Sequence, residues 1–160
     1  MEYLEPGKGC MSCRDYPLVT GMAVDDLDLL RAARGRRSGT VVLQGSEVTY
    51  EFVRVALPLL EKDGVDVDVF YVASGELFDL LPAAERERIF PQDRALEAMG
   101  ITGFTLPTMY RWVTSAHGRA MTLYPFRDGH FLGSGQADKV LAQAGLDGAS
   151  QYRQVLRYLE

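Results

Sequence analysis

The chain has few cysteines and no long apolar segment. Two cysteines among 160 residues exclude a disulfide scaffold and are typical of a cytoplasmic protein with reduced thiols. No apolar run approaches the ~18 residues of a membrane-spanning helix. Residues 1–8 carry charge and a proline where a secretory signal has its apolar core. We therefore predict a cytoplasmic protein without a membrane partner.

Positive charge is also scarce. The chain has 17 Lys and Arg residues against 22 Asp and Glu, a formal net charge of −5. Nucleic-acid-binding domains usually carry a basic patch or stripe, so we expect no nucleic-acid partner. The apolar fraction of 47% and the charged fraction of 24% are those of an ordinary globular domain.

Two segments of different character follow one another along the chain. Residues 1–37 predict an irregular leader with one short helix, and residues 38–160 predict one α/β domain. The apolar runs at residues 40–44 and 65–72 are expected to be neighbouring parallel strands joined by a right-handed helical crossover. The connecting helix, with Ser46 as its N-cap, should bury a face formed by Val48, Phe52, Val55 and Leu59.

The second half of the domain has weaker patterns. We predict strands around residues 101–104 and over residues 119–126, and a helix that starts at Pro107. A further helix is expected after a Ser134 cap, and the last helix should open at Asp147.

The cysteines have a spacing that is used in redox and zinc sites. Cys10 and Cys13 form a CxxC pair, which can lower a thiol pKa or supply half of a zinc site. They lie in the irregular leader, however, and the only histidines, His117 and His130, are far away in the chain. We therefore assign no metal ligands and leave the role of the two thiols open.

Candidate nucleophiles and acids are no more specific. Ser115 and His117 are close in sequence, but a catalytic triad needs a geometry that this spacing does not supply. Asp66 and Asp68 alternate along a strand, and we expect them to be solvated rather than to form a catalytic pair. No catalytic residue is predicted.

Glycine-containing turns precede three predicted helices. Open α/β sheets bind ligands at the carboxyl ends of their strands, and backbone N–H groups at helix starts can hold a phosphate or carboxylate. Two interpretations stay open: plain turns and caps, or a weak anion site. The residues of that site would be Gly45, Ser46, Ser74, Gly75, Arg127, His130 and Ser134.

An ordered series of motifs resembles the third, C-terminal domain of transketolases. The motifs are Val42-Leu-Gln-Gly-Ser-Glu-Val48, Gly64-Val-Asp-Val-Asp-Val69, Ser74-Gly-Glu-Leu-Phe-Asp79 and Phe126-Arg-Asp-Gly-His-Phe-Leu-Gly-Ser-Gly135. Homodimeric pyruvate dehydrogenase components share this domain. The resemblance implies a three-layer α/β/α open sheet of about five strands, mostly parallel with one antiparallel.

The same resemblance implies a role. In the family, thiamine diphosphate and its magnesium ion sit between the two preceding domains, so no cofactor-binding residue carries over to this chain. The implied function is a C-terminal domain or split subunit of a thiamine-diphosphate-dependent enzyme, structural and dimer-supporting, without catalysis of its own. Its partners would be the remaining domains, and a homodimer is a further expectation. The alternative is a free-standing small-anion-binding or regulatory module that kept the fold.

Overall fold

The computed structural model describes residues 38–127, 129 and 132–160. The predicted leader with its short helix, including Cys10 and Cys13, lies outside the described residues.

The centre of the domain is a parallel sheet. Its strands are β1 (Gly39–Gln44), β2 (Val67–Val72) and β3 (Ala98–Thr102), in the order β2-β1-β3. Gln44, the last residue of the central strand, pairs in register with Val72 and Thr102. All three carboxyl ends therefore meet at one edge of the sheet, which we call the carboxyl edge. The predicted parallel pair formed by residues 40–44 and 65–72 is confirmed.

The described residues form fewer strands than the five expected. Only an isolated parallel bridge between Ile101 and Leu123 extends the sheet beyond β3, and no antiparallel strand occurs among the described residues. The prediction of a strand over 119–126 is wrong. The segment from Ala116 to Met121 is helical, because the Ser115 side chain caps a helix by accepting a hydrogen bond from Gly118 N at 3.0 Å.

Short helices connect and follow the strands. One helical stretch follows β1 and ends at Gly64, which has a φ of 71°. The helices are α1 (Ser46–Glu51), π (Phe52–Ala56), α2 (Leu57–Lys62), α3 (Gly75–Asp79), α4 (Ala83–Ile89), α5 (Gln92–Glu97), a 3-10 turn (Leu106–Met109), α6 (Ala116–Met121), α7 (Ala137–Gln143) and α8 (Gly148–Leu159). None of the helices in the described part of the chain is long and apolar enough to cross a membrane.

Helices cover both faces of the sheet. Alternate strand residues point to opposite faces, so Val41 and Leu43 pack on one side and Val42 on the other. The first side is covered by α1, the π segment, α2 and α8, which contribute Val48, Phe52, Ala56, Leu60 and Val155. The second side is covered by α3, α4, α5, the 3-10 turn and the residues that directly follow these elements. Their buried side chains are Phe78, Ile89, Phe90, Ala95, Met109, Trp112 and Val113.

Several predicted boundaries need correction. The strand expected around residues 101–104 begins and ends earlier, at Ala98–Thr102. The helix expected from Pro107 is a 3-10 turn with Trp112 and Val113 buried after it. The helix expected after Ser134 begins at Ala137 with Gln136 as its N-cap.

The last helix has the predicted start and a buried polar anchor. Asp147 is its N-cap and accepts a hydrogen bond from Ser150 N at 3.1 Å. The Gln151 side chain is fully buried and donates to the carbonyls of Val48 and Leu146 at 3.1 and 2.6 Å. These bonds attach α8 to the start of α1.

Asp68 differs from its expected solvated state. Its carboxylate Oδ2 lies 3.0 Å from Arg94 Nε, and the two side chains are only 10% and 15% exposed. The contact is an ion pair without a hydrogen bond, because the Nε–H group of Arg94 is not aligned with the carboxylate. Asp68 therefore attaches β2 to α5 and does not lie on a wet face.

Candidate functional site

The carboxyl edge is the region where an open parallel sheet places its binding crevice. The turns that follow β1, β2 and β3 all begin there, so the predicted Gly45–Ser46 and Ser74–Gly75 turns lie at the same edge. Structure and sequence agree on this placement.

A polar network ties the ends of β1 and β3 to the 3-10 turn. The Oε1 atom of Gln44 accepts hydrogen bonds from Thr102 Oγ1 at 3.0 Å and from Thr108 Oγ1 at 2.7 Å. Thr102 Oγ1 in turn accepts from Phe104 N at 3.0 Å. Three segments of the carboxyl edge are thus held together through one amide oxygen.

Gly45 is required by the backbone at this point. Its φ of 107° is a conformation that residues with a side chain rarely adopt. A Cβ placed on Gly45 would lie 3.5 Å from Gly103 N and 3.7 Å from the Phe104 ring. Gly45 is also the N-cap of α1, so the prediction that Ser46 caps this helix is wrong; Ser46 is the first helical residue and is exposed.

Ser74 caps α3 as the sequence suggests. Its Oγ accepts a hydrogen bond from Leu77 N at 3.2 Å and donates to Glu76 Oε2 at 3.1 Å. One backbone donor of this helix start, Leu77 N, is therefore already bonded to Ser74. The adjoining Gly75 lies against the guanidinium of Arg111, because a Cβ on Gly75 would be 3.5 Å from Arg111 Nη1.

Arg111 is a residue of this edge that the sequence did not point to. Its guanidinium stacks on the Trp112 ring at 4.5 Å and pairs with Asp79, with Nη1 donating to Oδ2 at 3.0 Å and Nη2 to Oδ1. Arg111 therefore fixes α3 against the segment after the 3-10 turn.

This pairing changes the acid–base behaviour of Asp79. The hydrogen bonds from Arg111 hold the pKa of the Asp79 carboxyl below its usual range, and the same contact raises the pKa of Arg111. Because the folded-state pKa is lowered, the stabilisation by this pair is present above the unfolded pKa and is lost as the pH falls through the folded one.

We expect the Arg111→Met variant to raise the pKa of Asp79 back toward its usual value. The measurement is a carbon-detected NMR titration of the Asp79 carboxyl in the wild type and the variant. Arg153→Met, which removes a cation bonded to Ser150, is the control and should leave the Asp79 titration unchanged. Equal Asp79 titrations in the wild type and Arg111→Met would contradict the assignment.

The third predicted helix start lies only partly within the described residues. Ser134 is exposed and lies outside α7. Arg127 is exposed, and its Nη2 donates to the Ala120 carbonyl at 3.1 Å, at the end of α6. His130 lies outside the described residues. The predicted association of Ser134, Arg127 and His130 thus stays a prediction.

Ser115 and His117 have separate structural partners. Ser115 caps α6. Nε2 of His117 lies 3.1 Å from the Tyr158 carbonyl oxygen, and the imidazole stacks on the Tyr158 ring with 5.7 Å between the ring centroids. Within the described ranges, no group of three or more His, Cys, Asp or Glu side chains is arranged to hold a metal ion.

Exposed apolar side chains are concentrated after the carboxyl ends of the strands. Seven large apolar residues are exposed in the described part of the chain, and six of them lie in the first eight residues after the end of β1, β2, β3 or the Leu123 bridge. These six, which we call the apolar rim, are Tyr50, Leu77, Leu80, Phe104, Tyr110 and Phe126. The seventh, Leu96, lies in α5, just before β3 begins.

The chain matches no protein-family model and no curated protein. Its functional interpretation therefore depends on the sequence motifs and on the residues of the carboxyl edge.

Proposed function

We propose that this chain is a C-terminal-type domain or split subunit of a thiamine-diphosphate-dependent, transketolase-like enzyme, with a docking role and no catalysis of its own. The observation that carries the proposal is the apolar rim. The motif series at residues 42–48, 64–69 and 74–79 supports the family, and the α/β architecture with parallel strands is compatible with it.

The apolar rim has the composition of a protein contact surface. Leaving apolar surface in water costs ~25 cal/mol per Å², so a partner that covered these side chains would gain stability from their burial. Leu80 is 80% exposed and Tyr50 65%. Aromatic side chains are enriched at the centre of protein interfaces, and four of the six rim residues are Tyr or Phe.

The chemistry of the complete enzyme would come from its other domains. Thiamine diphosphate and magnesium would be held by the partner, and this chain would supply a docking surface. The rim side chains would pack against that partner, while the polar network at Gln44 keeps the supporting turns in place.

The test is co-elution with the partner. The full chain is mixed with any larger thiamine-diphosphate-binding protein that is encoded beside its gene and is run on a size-exclusion column. A run of the chain alone shows whether two copies associate. We expect a stable complex with that larger protein. Failure to co-elute with any such protein would contradict the split-subunit proposal.

Two leucines of equal exposure provide a matched pair of variants. Leu77 in the rim and Leu96 outside it are both helical and both 54% exposed. We expect Leu77→Asp to weaken the complex by ~10-fold or more, because an interface leucine replaced by a buried charge costs more than ~1.4 kcal/mol. Leu96→Asp should bind as the wild type does. Equal affinities for the two variants would exclude the rim as the docking surface.

A further inference from the structure

The side-chain amide of Gln44 presents two N–H groups that have no acceptor in the described part of the chain. Gln44 ends the central strand at the carboxyl edge, and its Oε1 is occupied by the hydroxyls of Thr102 and Thr108. Its Nε2 makes no hydrogen bond to any described residue. A neutral donor pair is thus fixed at the middle of the edge.

The neighbouring hydrogen bonds determine which way this amide faces. Thr102 Oγ1 already accepts from Phe104 N, so its own hydrogen is directed to Gln44 Oε1. The Thr108 hydroxyl lies 2.7 Å from Gln44 Oε1 and 2.8 Å from the Thr105 carbonyl oxygen, so its hydrogen is shared between these two acceptors. A reversed amide would point N–H groups at the Thr102 hydroxyl hydrogen. The oxygen therefore faces the threonines, and the nitrogen is left for another acceptor.

An exposed aromatic side chain belongs to a residue of the same hydrogen-bond network. Phe104 is 54% exposed, and its ring would lie 3.7 Å from a Cβ on Gly45, the residue next to Gln44. Because Gly45 has no side chain, that residue does not cover the Phe104 ring. Both groups are held by the same network, since Phe104 N bonds to Thr102 Oγ1 and Gly103 N donates to the Gln44 carbonyl at 3.0 Å.

We propose that Gln44 and Phe104 form a binding subsite for a small molecule that carries a carboxylate on a flat ring. The Gln44 N–H groups donate to a carboxylate oxygen, and the ligand ring packs on Phe104. Hydrogen bonds to a charged acceptor are stronger than those between neutral groups, and stacked or edge-on rings add to apolar burial. A donor that is already oriented loses little freedom on binding.

The test follows the side-chain NH₂ resonances of Gln44 in the full chain by proton–nitrogen NMR while benzoate is added. We expect a saturable shift at Gln44 in the millimolar range, with no comparable shift at the exposed Gln143. Gln44→Glu replaces the donors with a like-charged acceptor of the same shape, and should weaken benzoate binding by at least ~10-fold, seen at neighbouring backbone amides. Phe104→Ala removes an exposed ring and should weaken benzoate binding several-fold.

Other outcomes would overturn the subsite. Equal or unsaturated shifts at Gln44 and Gln143 indicate non-specific contact. If inorganic phosphate shifts Gln44 as strongly as benzoate does, or Phe104→Ala binds benzoate as tightly as the wild type, the ring has no role and the proposal is wrong. Phe104→Ala changes an exposed residue, so this arm decides the question even if Gln44→Glu does not fold. The measurement needs no partner, so its result is independent of the co-elution experiment.

Discussion

Replacing Gly118 with alanine is expected to lower the free energy of unfolding by at least ~3 kcal/mol, or to prevent folding altogether. A Cβ at Gly118 in α6 would lie 1.9 Å from the carbonyl oxygen of Ala98 and 2.9 Å from Val113 Cγ1. The first of these atoms belongs to the backbone of β3, where Ala98 pairs with Thr40 of the central strand. The obstacle therefore cannot be removed by a change of side-chain rotamer.

The matched control is Gly103→Ala, since a Cβ there would meet nothing within 4 Å. Its free energy of unfolding should differ from the wild type by less than ~1 kcal/mol, the range expected for a glycine replaced at a compatible position. Urea denaturation followed by circular dichroism measures both variants. A Gly118→Ala protein that unfolds at the wild-type urea concentration would show that α6 does not pack on β3 as described.

The first half of the domain was predictable because its patterns are local. The strand at residues 40–44 is a short β-branched run, and residues 65–72 alternate at first and then become wholly apolar; both patterns are typical of strands in a parallel sheet. The helical face was only partly predicted: Val48 and Phe52 are buried, but Ala56 and Leu60 are buried in place of Val55 and Leu59. The buried positions therefore recur every four residues, which is longer than the ~3.6 residues of an α-helical turn. The π segment at Phe52–Ala56, with its wider turn, accommodates the difference.

The second half was mispredicted where tertiary contacts override the local pattern. Residues 119–126 contain enough apolar side chains to suggest a strand, but Thr122 joins α6 to β3 through two hydrogen bonds. Its Oγ1 accepts from Gly100 N at 3.0 Å and donates to the Gly118 carbonyl at 2.8 Å. The partner Gly100 is distant in the chain, so a local pattern could not reveal this bond.

The candidate site shows the same division. The turns at Gly45 and Ser74 were located because each directly follows an apolar strand. The Gln44 network was missed, since Thr102 and Thr108 are 58 and 64 residues away in the chain. One signal was available: Gln44 is a polar residue at the end of an otherwise apolar strand, and a polar side chain at that position of a parallel strand faces the binding edge.

Replacing Arg94 with methionine is expected to lower the free energy of unfolding by ~3 kcal/mol. Breaking one partner of a buried ion pair costs ~3–5 kcal/mol, because the remaining charge stays desolvated; the 10% and 15% exposure of Asp68 and Arg94 places this pair near the lower limit. The variant leaves the Asp68 carboxylate on β2 without its Arg94 counter-ion while methionine preserves most of the apolar stem.

Two further variants separate the charge effect from simple loss of packing. In the double variant Asp68→Asn with Arg94→Met, the desolvated charge is gone, so part of the lost stability should return. Arg54→Met removes a comparable side chain from the pair with Glu51, where Arg54 is 54% exposed, and should change the stability much less, because solvent screens exposed ion pairs. Urea denaturation of all three variants gives the comparison. If Arg94→Met and Arg54→Met lose equal stability, or if Asp68→Asn adds a further loss to Arg94→Met, the ion pair does not hold β2 to α5.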